Sequence, residues 1–319
     1  MLAHQVADPT DEAIMNLSVT VVIPTYGREE TQDALQSIAN QTRPPKEILV
    51  VDEDLNSPVT KVMAELSFPR ETTVRHIQRE CGGLTRAKNF AAERASGDIV
   101  VYLDDDAVLE NDSIENLLDV YETHDPDGVW MITDERHSTL SLLFSKLFRH
   151  GPFRYGLRRR ENNPERTGDF YPLDAMGGCG MSVRDYVLEE YKFDPRDTVA
   201  FLPEDIDFAY RVAQEYEIGA TAKARKHHKQ LKRTNLSGEQ LKTTSYRKVF
   251  AYNYLYLVTL DGKLRYLPHY LLVNIGLLVG SLYLSIQQRD LAPLRGTLDG
   301  FRQLLRGTTV YEEYLQPVQ

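Results

Sequence analysis

The chain has 319 residues, 47 acidic against 37 basic, a formal net charge of −10 and two cysteines, Cys81 and Cys179. The length suits one large domain or two smaller ones, and the acidic balance excludes a chain-wide nucleic-acid binder. Two cysteines without a C-x-x-C pair exclude a disulfide framework and give no reason to place the protein outside a reducing compartment. Residues 1–17 are polar and acidic, with no basic start followed by an apolar run, and read as an N-terminal extension rather than a signal peptide.

From Ser18 the pattern becomes regular. Ser18–Pro24 (SVTVVIP) predicts a strand closed by proline, followed by a turn at Thr25–Gly27 and a helix carrying Leu35 and Ile38 on one face. Glu47–Asp52 (EILVVD) predicts a second buried strand that runs into Asp52-Glu53-Asp54. A helix over Val59–Leu66, a strand over Thr73–Ile77 and a helix over Thr85–Arg94 follow. Next come a strand leading into VVYLDDDAV (Val100–Val108), a helix over Asp112–Tyr121 and a strand over Val129–Thr133. Near-continuously apolar strands alternating with helices specify an α/β fold with a parallel sheet covered on both faces. Ligands of such sheets sit beyond the carboxyl ends of the strands, where Asp52 and Asp104–Asp106 both fall.

In extended backbone Asp104 and Asp106 point the same way, and two converging carboxylates call for a hard divalent cation between them. A solvated turn is the competing reading, because aspartates also cap helices and bond their own backbone.

VVIPTYGREETQDALQSIANQTRPPKEILVVDED together with GGLTRAKNFAAERASGDIVVYLDDD resembles the nucleotide-binding half of family 2 glycosyltransferases with the GT-A fold. The resemblance covers roughly the first two thirds of the chain. It implies a mostly parallel central sheet flanked by helices, with Pro24, Thr25, Tyr26 and Asp52 holding base and ribose. It also implies that Gly82–Asn89, including Gly83, Arg86 and Asn89, lies against the nucleotide, that Asp104 and Asp105 face it, and that Asp104 and Asp106 hold the metal bridging the diphosphate. Where many relatives carry Asp-Asp-Gly-Ser, this chain has Asp52-Glu53-Asp54-Leu55, which weakens the carry-over of base contacts there. The expected cofactors are Mg2+ or Mn2+ and a UDP- or GDP-sugar. A sugar leaves a nucleoside diphosphate only when the charge developing on the β-phosphate is neutralised, which a carboxylate-held divalent ion does as a Lewis acid. Arg86 and Lys88 are candidates for further compensation. A solvated helix face competes in both cases, more strongly for Lys88.

Beyond Thr133 the alternation stops. Leu140–Arg160 mixes large apolar residues with Arg and Lys, which fits either a segment at a membrane surface or a core helix followed by a basic loop. Pro172–Val183 (PLDAMGGCGMSV) returns to strand character, with glycines that allow close backbone approach to a ligand. In Phe201–Val212 (FLPEDIDFAYRV), Pro203 suits a helix start, and Phe208, Ala209 and Val212 turn the face that bears Asp205 inward. Asp207 and Arg211 read most simply as a surface ion pair. This stretch resembles the family's Glu-Asp motif, which implies Asp205 as general base and Glu204 as its orienting neighbour; dipole partnership in a first turn is the competing reading. Thr221–His228 ends in His227-His228, and the resemblance implies a metal-ligating histidine here, carried as His228.

Tyr266–Gln288 contains no Asp, Glu, Lys or Arg and is long enough to span a bilayer, with Gly276 and Gly280 at a helix-contact spacing; it reads as a spanning or deeply embedded helix, with a buried core helix as the competing reading. Leu298, Phe301, Leu304 and Leu305 set against Arg295, Arg302 and Arg306 have the pattern of an interfacial helix. The expected organisation is a catalytic domain over 18–240, divided near 135 into nucleotide and acceptor halves, and membrane-associated helices over 241–319. These features predict a membrane-bound glycosyltransferase with its catalytic domain on the cytoplasmic side, which extends a polyprenyl- or dolichol-phosphate-linked glycan alongside other glycan-assembly enzymes. The resemblance implies inversion, and reaches more weakly to archaeal enzymes of surface-protein N-glycan assembly. The alternatives are charging of the bare lipid phosphate, polysaccharide or capsule synthesis, a nucleotide-sugar-binding regulator and a non-catalytic membrane scaffold.

Overall fold

In the computed structural model the described residues are 17–133, 139–150, 169–195, 204–229 and 236–306. Their first part alternates as β1 (Val19–Thr25), α1 (Thr31–Ala39), β2 (Glu47–Asp52), α2 (Val59–Glu65), β3 (Thr73–Gln78), α3 (Leu84–Ala92) and β4 (Ile99–Tyr102). There follow β5 (Ala107–Leu109), α4 (Ser113–His124), β6 (Gly128–Thr133), α5 (Thr139–Phe148), β7 (Tyr171–Pro172), β8 (Met181–Arg184), α6 (Asp185–Glu190), α7 (Glu204–Val212) and β9 (Ile218–His228). The chain ends in α8 (Gly238–Tyr254), a π-helical turn (Leu255–Thr259), a short 3-10 turn (Leu264–Tyr266), α9 (Leu267–Gln288) and α10 (Ala292–Leu305).

β1, β2 and β4 are buried along their whole length and mostly apolar because helices cover both of their faces. Val19, Val21, Ile23, Ile48 and Val50 pack with Leu35, Ile38, Ile114 and Leu117, whereas Val22, Leu49 and Val51 pack with Ala87, Ala91, Phe208 and Val212 on the other side. Residues of period two thus feed two separate cores. Among the described residues nine strands run in the order β3-β2-β1-β4-β8-β6-β9-β5, with β7 on β9. β1 to β4 are mutually parallel, β8 is antiparallel between β4 and β6, and β5 is antiparallel to β9.

A third core joins the C-terminal helices to the sheet domain. Ala175, Ile206 and Tyr210 pack there with Val249, Leu255, Tyr256, Leu260, Val273 and Leu277. α8 starts on a capping box: Gln240 N–H donates to the Ser237 hydroxyl at 3.2 Å and Ser237 N–H donates to Gln240 Oε1 at 2.9 Å. At Gly296 a Cβ would lie 2.0 Å from the Lys242 carbonyl oxygen, so only glycine lets α10 cross α8 this closely.

Several expectations change in detail. The segment read as one strand over Pro172–Val183 forms two, β7 and β8, separated by the glycine-rich loop. Asp207 is not a surface group: its buried carboxylate accepts the Thr259 hydroxyl at 2.8 Å and Arg211 Nε at 3.0 Å, tying α7 to the π turn. Phe301 and Leu304 of the expected interfacial face pack against the third core, which leaves Leu298 and Leu305 exposed. The N-terminal extension as far as residue 16, the basic run 151–160 and Pro203 lie outside the described residues.

Candidate active site

Parallel pairing sets Thr25 opposite Asp52, with β4 on the other side of β1, so three carboxyl strand ends lie together. Above them opens a crevice of about 600 Å3 lined by Pro24, Thr25, Tyr26, Arg28, Glu53, Gly82, Gly83, Leu84, Asp104, Asp105, Asp106 and His228. Six of the residues carried over for the nucleotide line it: Pro24, Thr25, Tyr26, Gly83, Asp104 and Asp105. Tyr26, 69% exposed, stands free at the rim.

The other three do not line it. Asp52 is fully buried beneath the floor, with Oδ2 3.1 Å from His76 Nε2 and Oδ1 accepting Asp54 N–H at 3.0 Å. Arg86 is exposed and donates to the Gly82 carbonyl at 3.2 Å. Asn89 fastens the chain near Phe193, donating to its carbonyl at 2.8 Å and accepting its N–H at 3.0 Å.

The acidic triplet converges for a reason other than strand alternation. β4 stops at Tyr102 and the backbone reverses, Ala107 N–H donating to the Asp104 carbonyl at 3.1 Å, before β5 begins. Asp105 turns inward, accepting the Thr25 hydroxyl at 2.8 Å and Arg28 Nη1 at 3.2 Å. Burial, together with the charges of Asp106 and Asp104, outweighs Thr25 and Arg28 and lifts its carboxyl above the ordinary value. Antiparallel pairing sets His228 opposite Ala107, which brings its Nε2 to 2.9 Å from Asp106 and 3.6 Å from Asp104. His227 instead meets Glu110 at 3.1 Å on an exposed face.

The sulfur of Cys179 joins this group: one ligand atom each from Asp104, Cys179 and His228 lie within 4.8 Å of one another. Burial and the neighbouring Asp104 charge push the Cys179 thiol up to about 12, so it carries its proton at neutral pH. Carboxylates with an imidazole suit Mg2+ or Mn2+, and a thiol within reach adds a softer donor.

Asp205 lies in the first turn of α7, with Oδ2 accepting Gly178 N–H at 2.8 Å and Oδ1 accepting Ile206 N–H at 2.8 Å. Lys88, for which charge compensation and a solvated helix face were rival readings, is only 1% exposed and donates to Glu204 at 3.2 Å. Burial favours its neutral amine, yet the charges of Glu204, Asp104 and Asp205 together hold it above its ordinary value. Burial lifts Glu204 in turn, against the pull of Lys88. A Cβ on Gly178 would lie 3.1 Å from Lys88 Nζ and 3.3 Å from Asp205 Cβ, so the glycine lets this loop close on both.

The sequence reading did not single out Arg28 or Cys179, and took Glu53 only as a departure from pattern. Glu53 accepts Gly82 N–H at 2.9 Å and Gly83 N–H at 3.1 Å, the two glycines converging through φ of 81° and 122°. No local periodicity marks these residues; all three sit in turns beside strand ends.

The chain is similar to known glycosyltransferases. Over 116 residues, 35% of this chain and 36% of its own length, the glucosyl-dolichyl phosphate glucuronosyltransferase of Haloferax volcanii is 32% identical. The glycosyltransferase YwdF of Bacillus subtilis is 29% identical over 211 residues, 63% of this chain and 70% of its own. Among solved structures, the mannosyltransferase PcManGT of Pyrobaculum calidifontis, in complex with GDP-Man and Mn2+, superposes with a TM-score of 0.53 over 91% of this chain and 87% of its own, at 17% identity. The fold is thus GT-A-like, and the family model of glycosyl transferase family 2 matches residues 20–182. That match spans just over half of the sequence, and the chain belongs to glycosyl transferase family 2.

Proposed function

We propose that this glycosyltransferase moves a sugar, with inversion, from a UDP- or GDP-sugar to a hydroxyl of a polyprenyl- or dolichol-phosphate-linked glycan at the cytoplasmic face of a membrane. One observation carries the reading: buried Lys88 donates to Glu204 at 3.2 Å and stays charged through Glu204, Asp104 and Asp205, which ties the strand-end acids to the pair Glu204-Asp205. In this reading Pro24, Thr25 and Tyr26 bound the nucleotide. Asp104, Asp106 and His228 would hold a divalent ion, with Cys179 in reach; that ion would neutralise charge on the departing diphosphate. Asp205, oriented by Gly178 N–H, takes the proton of the incoming hydroxyl, with Glu204, held by Lys88, as its orienting neighbour. A lipid phosphate is already ionised and needs no such base, which favours glycan extension over charging of bare lipid. The Haloferax relative, named for acting on a glucosyl-dolichyl phosphate, and PcManGT, solved with a nucleotide sugar and Mn2+, support the same reading.

The test is Asp205→Asn with a panel of nucleotide sugars and lipid-linked saccharides, read by nucleoside diphosphate release. Turnover should fall by roughly 100-fold or more while UDP or GDP affinity persists. Turnover equal to wild type would sink the assignment.

A further inference from the structure

We propose that α9 lies in the plane of one membrane leaflet, half sunk among anionic lipid headgroups, and does not cross the bilayer. The inference goes beyond donor and acceptor chemistry and stands on the helix and its neighbours alone.

Leu264–Gln288 is long and apolar enough to span a membrane, and 22 residues of it form α9, about 33 Å of helix at 1.5 Å per residue. Its two sides differ. Leu271, Ile275, Leu278, Val279, Leu282 and Ile286 recur every three or four residues and are 37% to 70% exposed, one continuous apolar stripe of the kind soluble monomers seldom leave bare. The opposite side is spent inside the protein. Val273 and Leu277 enter the third core, and a Cβ on Gly276 would lie 2.5 Å from Phe148 Cβ, so the glycine face is already filled by α5.

A crossing helix would carry its neighbours into hydrocarbon. α10, packed on both α9 and α8, bears the ion pairs Asp299–Arg302 and Lys242–Asp299, at 3.0 Å and 3.3 Å, with exposed side chains. Charges at that depth cost several kcal/mol each in round terms. Lying flat, α9 sinks only its stripe.

Charge names the lipid. No acid occurs from Leu264 to Gln288, Lys263 and Arg265 stand at one end, and Arg289 and Arg295 follow the other. From residue 255 to 306 there are six Lys and Arg against three Asp, in a chain of net charge −10. An apolar stripe with basic ends fits an anionic leaflet, whose acyl chains take the stripe while its headgroups meet the basic ends.

The test uses the purified full chain with Leu271→Trp, Leu278→Trp or Ile286→Trp, one at a time, on phosphatidylcholine vesicles with and without phosphatidylglycerol. Quenching by lipids brominated near the headgroup or deep in the acyl chain reads depth; Trp130, the one native tryptophan, donates to the Cys179 carbonyl in the sheet domain and is a constant background. Flat docking gives the same shallow depth for all three variants and binding that needs the anionic lipid. Deep quenching at Leu278→Trp with shallow ends means a crossing helix and overturns the proposal. So does binding indifferent to phosphatidylglycerol, or no quenching with a concentration-dependent dimer, which would assign the stripe to a second copy. Leu278→Glu/Leu282→Glu should weaken vesicle partition by about tenfold or more, with UDP and GDP binding unchanged as the folding control. A chain that docks on vesicles but binds neither nucleotide would end the proposed function and leave this inference standing.

Discussion

Lys88 shows how far one side chain can depart from its local signal. It follows Ala87 and precedes Ala91 on the inward face of α3, a small-residue face against which a lysine reads as an outlier bound for solvent. Its partner Glu204 is 116 residues away on another helix, and only folding brings the two together. An ammonium removed from beside the partly buried Glu204 carboxylate leaves that carboxylate uncompensated. Lys88→Met should therefore lower stability by about 2 kcal/mol, and Lys88→Met/Glu204→Gln should recover most of it; thermal unfolding of both variants checks this, and a double variant no better than the single one contradicts it. His228 was legible as a candidate ligand, because the strand carrying it was legible. The choice between His227 and His228 was not, since it depends on the register of β9 against β5. Asp52, read at a strand end, is where expected in the chain but sealed beneath the crevice by His76, a residue from the neighbouring strand that no local pattern ties to it.

Among the elements, the early strands were the most legible. Glu47–Asp52 was read with the ends it has in the structure, since burial on both faces writes an unbroken apolar run bounded by Pro44-Pro45 and acids. The turn at Asp104–Asp106 stood only as the competing reading, because a reversal between two strands hides inside a sequence that continues to look strand-like. β2 also carries a strut at its opposite end. The buried Glu47 carboxylate accepts Thr20 of β1 at 3.0 Å, Arg75 of β3 at 2.8 Å and Ser96 N–H at 3.0 Å. Burial alone would raise its carboxyl, but these donors outweigh it and hold the group below its ordinary 4.5. The unfolded chain then binds the proton more readily, so this contribution is present in full above pH 4.5 and is lost as pH falls through the lower folded value. Glu47→Gln should lower the Tm at pH 7, with the gap from wild type narrowing in acid; a constant gap across both conditions contradicts it. At the α8–α10 crossing, Gly296→Ala should destabilise by about 1–3 kcal/mol through overpacking, read by chemical denaturation.

For the whole molecule, the sequence conveyed two regimes, an alternating α/β half and an apolar helical end, but not how they join. The third core is made of residues from the glycine-rich loop, α7 and three C-terminal helices, each contributing a few positions that look ordinary in isolation. This arrangement hangs the proposed base, Asp205, on the same helix that docks the C-terminal bundle, since Ile206 and Tyr210 of α7 enter that core. Disturbing the bundle should therefore reach the chemistry. Val273→Ala, remote from the crevice, should reduce turnover while leaving nucleotide affinity within about twofold, as positioning effects do; equal turnover at full folding would disconnect the two.

The clasp of Glu53 on the Gly82 and Gly83 amides has one more bearing. The N-terminus of α3 is a place where a phosphate could settle, and the protein's own carboxylate already sits there. With Asp104, Asp105 and Asp106 opposite, the crevice presents a negative field that a naked diphosphate must climb, and a diphosphate escorted by a divalent ion need not. UDP or GDP titrated in chelator should thus bind at least about tenfold more weakly than in Mn2+, and Glu53→Gln should shrink that difference; on the proposed function, a residue that need never touch the sugar would then govern how readily the donor enters.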